Sequence, residues 1–167
     1  MIFEADLVAE AAALIDTCRN SQLLIATAES CTGGLIAGLL TSIAGSSDVF
    51  DAGFVTYSNQ AKTRMIGVAP DLIERVGAVS PDVACAMAEG AVLHSNADIA
   101  VSVTGIAGPG GGTAHKPVGL VYMAGYRRGG RVSYDELRLG DIGREAVRLA
   151  TVRHAVGMLQ RMATALP

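Results

Sequence analysis

QLLIATAESCTGGLIAG, residues 22–38, passes from an apolar strand through a polar turn into a helix. Its first seven residues, QLLIATA, form the short continuous apolar run of a strand buried on both faces. Residues 32–43, rich in Leu, Ile, Ala and Gly, predict a helix. Between the two, Glu29, Ser30, Cys31 and Thr32 bring a carboxylate, two hydroxyls and a thiol to one turn, with Gly33 and Gly34 directly behind. Open α/β sheets bind ligands at the carboxyl ends of their strands. The first amides of a helix have no internal partners and attract anions. Serine and threonine are also ordinary helix caps. The turn is either a capped helix packed closely by its glycines or a place where an anion meets free amides.

Outward from this turn, residues 4–19 carry Leu7, Val8, Ala11, Leu14 and Ile15 at helical spacing. Residues 44–48 (AGSSD) predict a turn, 53–58 (GFVTYS) a strand, and 59–67 (NQAKTRMIG) a short helix ended by Gly67. Pro70 opens another helical turn. Ser80-Pro81-Asp82 is a strong start signal for a helix to about residue 95, with a hydroxyl cap, a proline that needs no amide partner, and an acid. The run 98–105 (DIAVSVTG) predicts a buried strand leading into the loop 105–117, GIAGPGGGTAHKP. Strands at 118–126 and 131–139 follow as a hairpin across Arg127 to Gly130, and Asp141 caps a last helix to about Ala163. Helices and strands alternate up to the hairpin. The fold class is α/β, a three-layer α/β/α sandwich on a mixed, mostly parallel sheet.

The 167 residues contain no linker or break in composition, so residues 1–167 are expected to form one domain. Half the residues are hydrophobic and only 4% aromatic, which predicts an aliphatic core. A net charge of -3 and a pI near 5.5 offer nucleic acid no basic surface. Cys18, Cys31 and Cys85 are odd in number and widely spaced, as in a reducing, cytoplasmic setting. The acidic N-terminal segment does not resemble a signal peptide, and no apolar run reaches the length of a membrane span.

Familiar catalytic motifs are missing. The sequence has no GxSxG, no serine followed by lysine three residues on, no HExxH, no P-loop ending and no dinucleotide fingerprint. His94, His115 and His154 stand alone, so a metal centre is not expected. Three segments remain. One is the turn at Ser30. The second is VTYSNQAK, residues 55–62, which puts Tyr57 at a strand end and Lys62 a turn into a helix. Lys62 is either a solvated side chain or a base for a serine nucleophile. The second role requires its pKa to fall from about 10.4 towards 7–8, as burial would arrange. The third is TGIAGPGGG, residues 104–112, either a flexible turn or a ligand cradle.

The blocks TAESCTGG, AGSSDVFDAGFVTYSNQAKTRMIGV, GAVS and TGIAGPGGG with KPVG behind it resemble, in order, the CinA C-terminal domain family. The likeness runs from about residue 5 to 165. Ala52-Gly53 replaces a Gly-Gly pair of many members, and His115-Lys116 lies in a variable part of the glycine loop. Stand-alone members of that family deamidate nicotinamide mononucleotide to nicotinate mononucleotide and ammonia, without a metal or cofactor. The chain resembles this free-standing type rather than longer members with an additional N-terminal domain. The resemblance implies Ser30 as nucleophile, with Tyr57 and Lys62 as its activating partners.

Ser30 Oγ would then attack the carboxamide while Lys62, directly or through Tyr57, takes the proton. The amides from Cys31 through Thr32 and Gly33 to Gly34, or the loop glycines Gly108, Gly110 and Gly111, are the candidate oxyanion and substrate contacts. Cys31 is either a second candidate nucleophile or a small buried apolar group. Glu29 either orients Lys62, binds ribose hydroxyls or simply sits at a helix N-terminus. Arg144 and Arg148, four apart and so on one helix face, either meet the phosphate or form a solvated stripe. The helix start at Thr32 is the competing phosphate site. The expected partners are a small nucleotide substrate and further copies of the chain, since apolar faces of the terminal helices suggest a homo-oligomer; neither nucleic acid nor membrane is expected. The contrasting class is a non-catalytic nucleotide-binding module, or an interaction module of the competence and DNA-damage kind.

Overall fold

The structure, a computed structural model, describes residues 3–165. Helix α1 (Ala5–Asn20) leads into β1 (Ile25–Glu29), followed by α2 (Leu35–Thr41), a short 3-10 turn (Ser46–Asp48) and β2 (Phe50–Val55). Helices α3 (Asn59–Ile66), α4 (Pro70–Val76) and α5 (Pro81–Leu93) come next, then β3 (Ile99–Gly105), β4 (Leu120–Arg127), β5 (Ser133–Arg138) and α6 (Arg144–Thr164).

The sheet order is β2-β1-β3-β4-β5. Strand β1 pairs in parallel with β2 and β3, β4 lies antiparallel to β3, and β5 antiparallel to β4. Only β4 runs against the others, because the glycine loop joins it to β3 and a tight hairpin to β5, whereas helices join β1 to β2 and β2 to β3. Strand β1 is buried along its whole length, as a central strand covered on both faces must be. At one edge, β5 exposes Asp135, Glu136 and Arg138, charges that discourage further pairing.

The pleat of β1 divides its side chains between two helix layers. Ile25 joins Leu14, Ile15, Ile36, Leu39, Val152 and Leu159, the apolar faces of α1, α2 and α6. Ala26 and Ala28 face Ile66, Ile73, Val83 and Met87 of α3, α4 and α5. These layers make the α/β/α sandwich. The apolar faces of α1 and α6, which had suggested self-association, are packed within one core. Among the described residues, no helix is long and apolar enough to cross a membrane.

Three boundaries differ from the sequence expectation. Strand β2 begins at Phe50 and stops at Val55, because half-buried Phe50, Ala52 and Phe54 alternate with exposed Asp51, Gly53 and Val55. Tyr57 therefore lies in the turn beyond the strand. Helix α2 starts at Leu35 rather than residue 32, since Gly33 (φ 61°) and Gly34 (φ 99°) adopt left-handed backbone that continues no helix. Helix α6 begins after Gly143, at φ 92°, with no side-chain cap, so Asp141 stands too early to cap it.

Candidate active site

Ser30 follows the last residue of β1, and both neighbouring strands hold its backbone. Its amide donates to the Val103 carbonyl at 3.1 Å, and the Thr56 amide donates to the Glu29 carbonyl at 2.8 Å. The serine is thus fixed at the carboxyl end of a central strand, with its side chain half-buried.

Across from it, Ser58 caps α3 by accepting the Ala61 amide at 3.0 Å, and Gly67 ends the helix at φ 70°. One turn in, Lys62 faces inward and is 1% exposed. Its Nζ lies 3.1 Å from Ser30 Oγ, 2.8 Å from the Thr56 carbonyl and 3.5 Å from the Tyr57 carbonyl. No carboxylate pairs with it among the described residues. Burial lowers its pKa, with the Cys31 thiol opposing by charge. The amine donates to the two carbonyls in either protonation state; as an ammonium it also donates to Ser30 Oγ, and as a neutral amine it turns a lone pair to that hydroxyl.

Cys31 is buried in the apolar core beneath α2, and burial pushes its thiol up to about 11. A thiol so held is protonated near neutral pH and a poor nucleophile. Of the two readings of Cys31, the small buried apolar group is the one that fits.

The open helix start expected at residues 32–34 is filled by Glu29. Its carboxylate accepts the Thr32 hydroxyl at 2.6 Å and the amides of Gly34, Ile36 and Ala37 at 3.1, 3.0 and 2.8 Å. Glu29 neither orients Lys62 nor faces solvent; it is the internal cap of α2, fully buried. The Gly33 amide donates to the Ser30 carbonyl at 3.1 Å. Of the four amides from Cys31 to Gly34, only those of Cys31 and Thr32 donate to no other residue among those described.

Arg144 and Arg148 do project from one face of α6, but the face is not a solvated stripe. Arg144 donates to the Gly108 carbonyl at 2.8 Å and to the Tyr57 phenol oxygen at 3.1 Å. Arg148 donates to the carbonyls of Cys31 at 3.2 Å and Thr32 at 2.9 Å. Tyr57, 60% exposed, thus turns its phenol to Arg144, while its carbonyl is what approaches Lys62. In the glycine loop, Gly108 (φ 83°) lies against Val118, where a Cβ would meet Cγ1 at 2.6 Å, so the loop folds back on itself. Gly110 and Gly111 are exposed beyond that fold. Lys116 anchors the far side, its Nζ donating to the Val76 carbonyl at 3.0 Å.

The structure therefore brings together Ser30, Lys62, the Cys31 and Thr32 amides, Tyr57, Arg144 and Gly108. Sequence reasoning missed the Thr56 carbonyl as a ligand of Lys62 and the grip of Arg148 on the turn. For Arg148 the four-residue spacing from Arg144 was the available signal. A cavity of about 590 Å³ between α3 and α4 is lined by none of the site residues. Among the described residues, no cluster of three or more His, Cys, Asp or Glu is placed to hold a metal ion.

The model of the CinA C-terminal domain matches residues 8–163. A CinA-like protein of Akkermansia muciniphila is 58% identical over 111 residues, covering 66% of this chain and 27% of that protein. A CinA-like protein of Geobacter sp. strain M21 is 61% identical over 106 residues, 64% of this chain and 26% of that protein. The chain thus matches only a part, close to a quarter, of these longer relatives. Among solved structures, the competence/damage inducible protein CihA of Agrobacterium tumefaciens superposes with a TM-score of 0.92 at 55% identity, covering 94% of this chain and 95% of the other. A CinA superfamily protein of Escherichia coli gives 0.88 at 34% identity, with 93% and 90% covered.

Proposed function

The chain belongs to the CinA C-terminal domain family, and we propose that it is a serine amidohydrolase that deamidates nicotinamide mononucleotide to nicotinate mononucleotide and ammonia without a metal. One observation carries the hydrolytic chemistry: a buried lysine with no carboxylate partner among the described residues, its Nζ 3.1 Å from a serine hydroxyl at a strand end. Nicotinamide mononucleotide enters as substrate through the family likeness.

In this reading Ser30 Oγ attacks the carboxamide carbon as its proton passes to Lys62 Nζ. Direct contact makes a relay through the Tyr57 phenol unnecessary. The oxyanion is met by the Cys31 and Thr32 amides, the unpartnered donors of the turn. Collapse expels ammonia, which takes the proton from Lys62 and leaves an acyl-Ser30. Water, deprotonated by the neutral Lys62, then releases the carboxylic acid and restores the serine hydroxyl. Since Glu29 closes the α2 start, the phosphate is left to Arg144, which contacts the glycine loop at Gly108, and to the exposed Gly110 and Gly111 of that loop.

The test is ammonia release, with nicotinate mononucleotide identified as the product, from nicotinamide mononucleotide, free nicotinamide and the dinucleotide in the presence of a chelator. Release from the mononucleotide is expected. Binding without release would replace the amidase with a non-catalytic nucleotide-binding module.

A further inference from the structure

Arg148, like Arg144, differs from the two other arginines of its helix. Arg153 pairs with Glu4, Asp6 and Glu10, and Arg161 with Asp135. Arg148 has no carboxylate partner among the described residues, and its guanidinium takes two consecutive carbonyls of the nucleophile turn. A guanidinium offers donors in a rigid planar fork, so it can fix two acceptors at once where an ammonium would act as a single point.

That grip has a directional consequence. In a trans peptide the C=O and the following N–H point opposite ways. Holding the Cys31 carbonyl on the Arg148 side turns the Thr32 N–H away from Arg148. Holding the Thr32 carbonyl does the same to the Gly33 N–H, which indeed donates to the Ser30 carbonyl at 3.1 Å. Glu29 fixes the remainder of the turn through the Thr32 hydroxyl and the Gly34 amide. Thr32 is therefore constrained through its carbonyl and its side chain. Its amide donates to no other residue among those described. A backbone amide with no protein partner is left for water or a ligand to meet.

We propose that Arg148 is a positioning residue: it holds the Cys31–Thr32 peptide so that the Thr32 amide, beside that of Cys31, remains a donor for the oxyanion formed at Ser30. This rests on the amidase reading above. Arg148 acts through the backbone and touches neither Lys62 nor the reacting atoms, so it governs the chemical step rather than substrate affinity or the ionisation of the base.

The full chain is compared as wild type, Arg148→Ala and Arg148→Lys, by kcat and KM for ammonia release and by the rate at which a fluorophosphonate probe labels Ser30. Arg148→Ala is expected to lower kcat about 10- to 100-fold with KM changed less than about threefold. The same variant should label more slowly, and added guanidinium should restore part of its rate. Arg148→Lys is expected to fall between, and the pH dependence set by Lys62 should not move. A raised KM at unchanged kcat would make Arg148 a substrate ligand and overturn the proposal. Wild-type kcat in the variants would overturn it as well. Thermal melts show whether Arg148→Ala folds; if it does not, the kcat of Arg148→Lys decides. Wild type that neither releases ammonia nor labels would instead sink the amidase reading, and this inference with it.

Discussion

At the scale of single residues, the decisive quantity is the proton affinity of Lys62. Burial favours the neutral amine, so its folded pKa lies below the ordinary 10.5. Between the lowered value and 10.5 the unfolded chain holds a proton that the folded chain lacks, so stability rises with pH across that window. Below the lowered pKa both states are protonated and the burial penalty is at its full size. Denaturant titrations from acid to alkaline pH should therefore show wild type gaining stability relative to Lys62→Met as pH rises. A difference independent of pH would mean that Lys62 keeps its usual affinity. The same substitution is expected to reduce ammonia release at least about 100-fold, as for loss of a general base. Ser30 and Lys62 were legible in the sequence because residue type and motif order name them. The Thr56 carbonyl was not, because every residue carries a carbonyl and only the turn decides where it points. Of the three readings of Glu29, the plain helix-start one holds, and strand parity decides it. Glu29 shares that parity with Ile25, so its side chain had to face the α1, α2 and α6 layer and meet the start of α2.

At the scale of elements, the nucleophile turn is held by one carboxylate. Glu29→Gln keeps the shape but replaces one acceptor oxygen with an NH2 facing backbone N–H donors. A loss of about 1–3 kcal/mol is expected for such an unsatisfied buried pair. Thermal unfolding would register this as a lower Tm, and an unchanged Tm would mean that the cap carries no weight. The glycine loop gives a paired comparison. Gly108→Ala must place a Cβ at φ 83° against Val118, whereas a Cβ at Gly110 would meet nothing within 4 Å beyond its chain neighbours, and the backbone there is not left-handed. Gly108→Ala is expected to lower both Tm and kcat, and Gly110→Ala to leave Tm unchanged. If Gly110 receives substrate phosphate, KM rises in Gly110→Ala alone. The positions of the helices and strands were legible from apolar spacing and from caps such as Ser80, which accepts the Val83 amide at 3.3 Å. The ends of β2, α2 and α6 were not, because glycine backbone angles and edge-strand alternation set them rather than propensity.

At the scale of the whole molecule, two helix layers must hold Ser30 and Lys62 in register across the sheet edge. Ser30 is fixed by the strands, but Lys62 rides on α3, which rests on α5 at Gly90. A Cβ there would lie 2.1 Å from the Ile66 carbonyl oxygen, with Ile66 only one helical turn beyond Lys62. Gly90→Ala must therefore push α3 from α5. Overpacking of this kind typically destabilises by about 1–3 kcal/mol, or a few degrees of Tm per kcal/mol at this chain length. Melting curves and ammonia release should both fall for Gly90→Ala, and retention of full activity would show that the Lys62–Ser30 distance tolerates movement of α3. The alternation that led to the α/β/α fold reflects burial, which sequence displays openly. The meeting of α6 with the nucleophile turn joins residues more than 100 positions apart; the spacing of Arg144 and Arg148 puts both on one helix face but does not say what that face meets.

The most direct test of the central claim is ammonia release from nicotinamide mononucleotide by wild type, Ser30→Ala and Cys31→Ala across pH. Wild type and Cys31→Ala are expected to turn over, with rates climbing as Lys62 loses its proton, and Ser30→Ala is expected to fall by several orders of magnitude. Retained turnover in Ser30→Ala, or its loss in a folded Cys31→Ala, would contradict a serine nucleophile activated by Lys62.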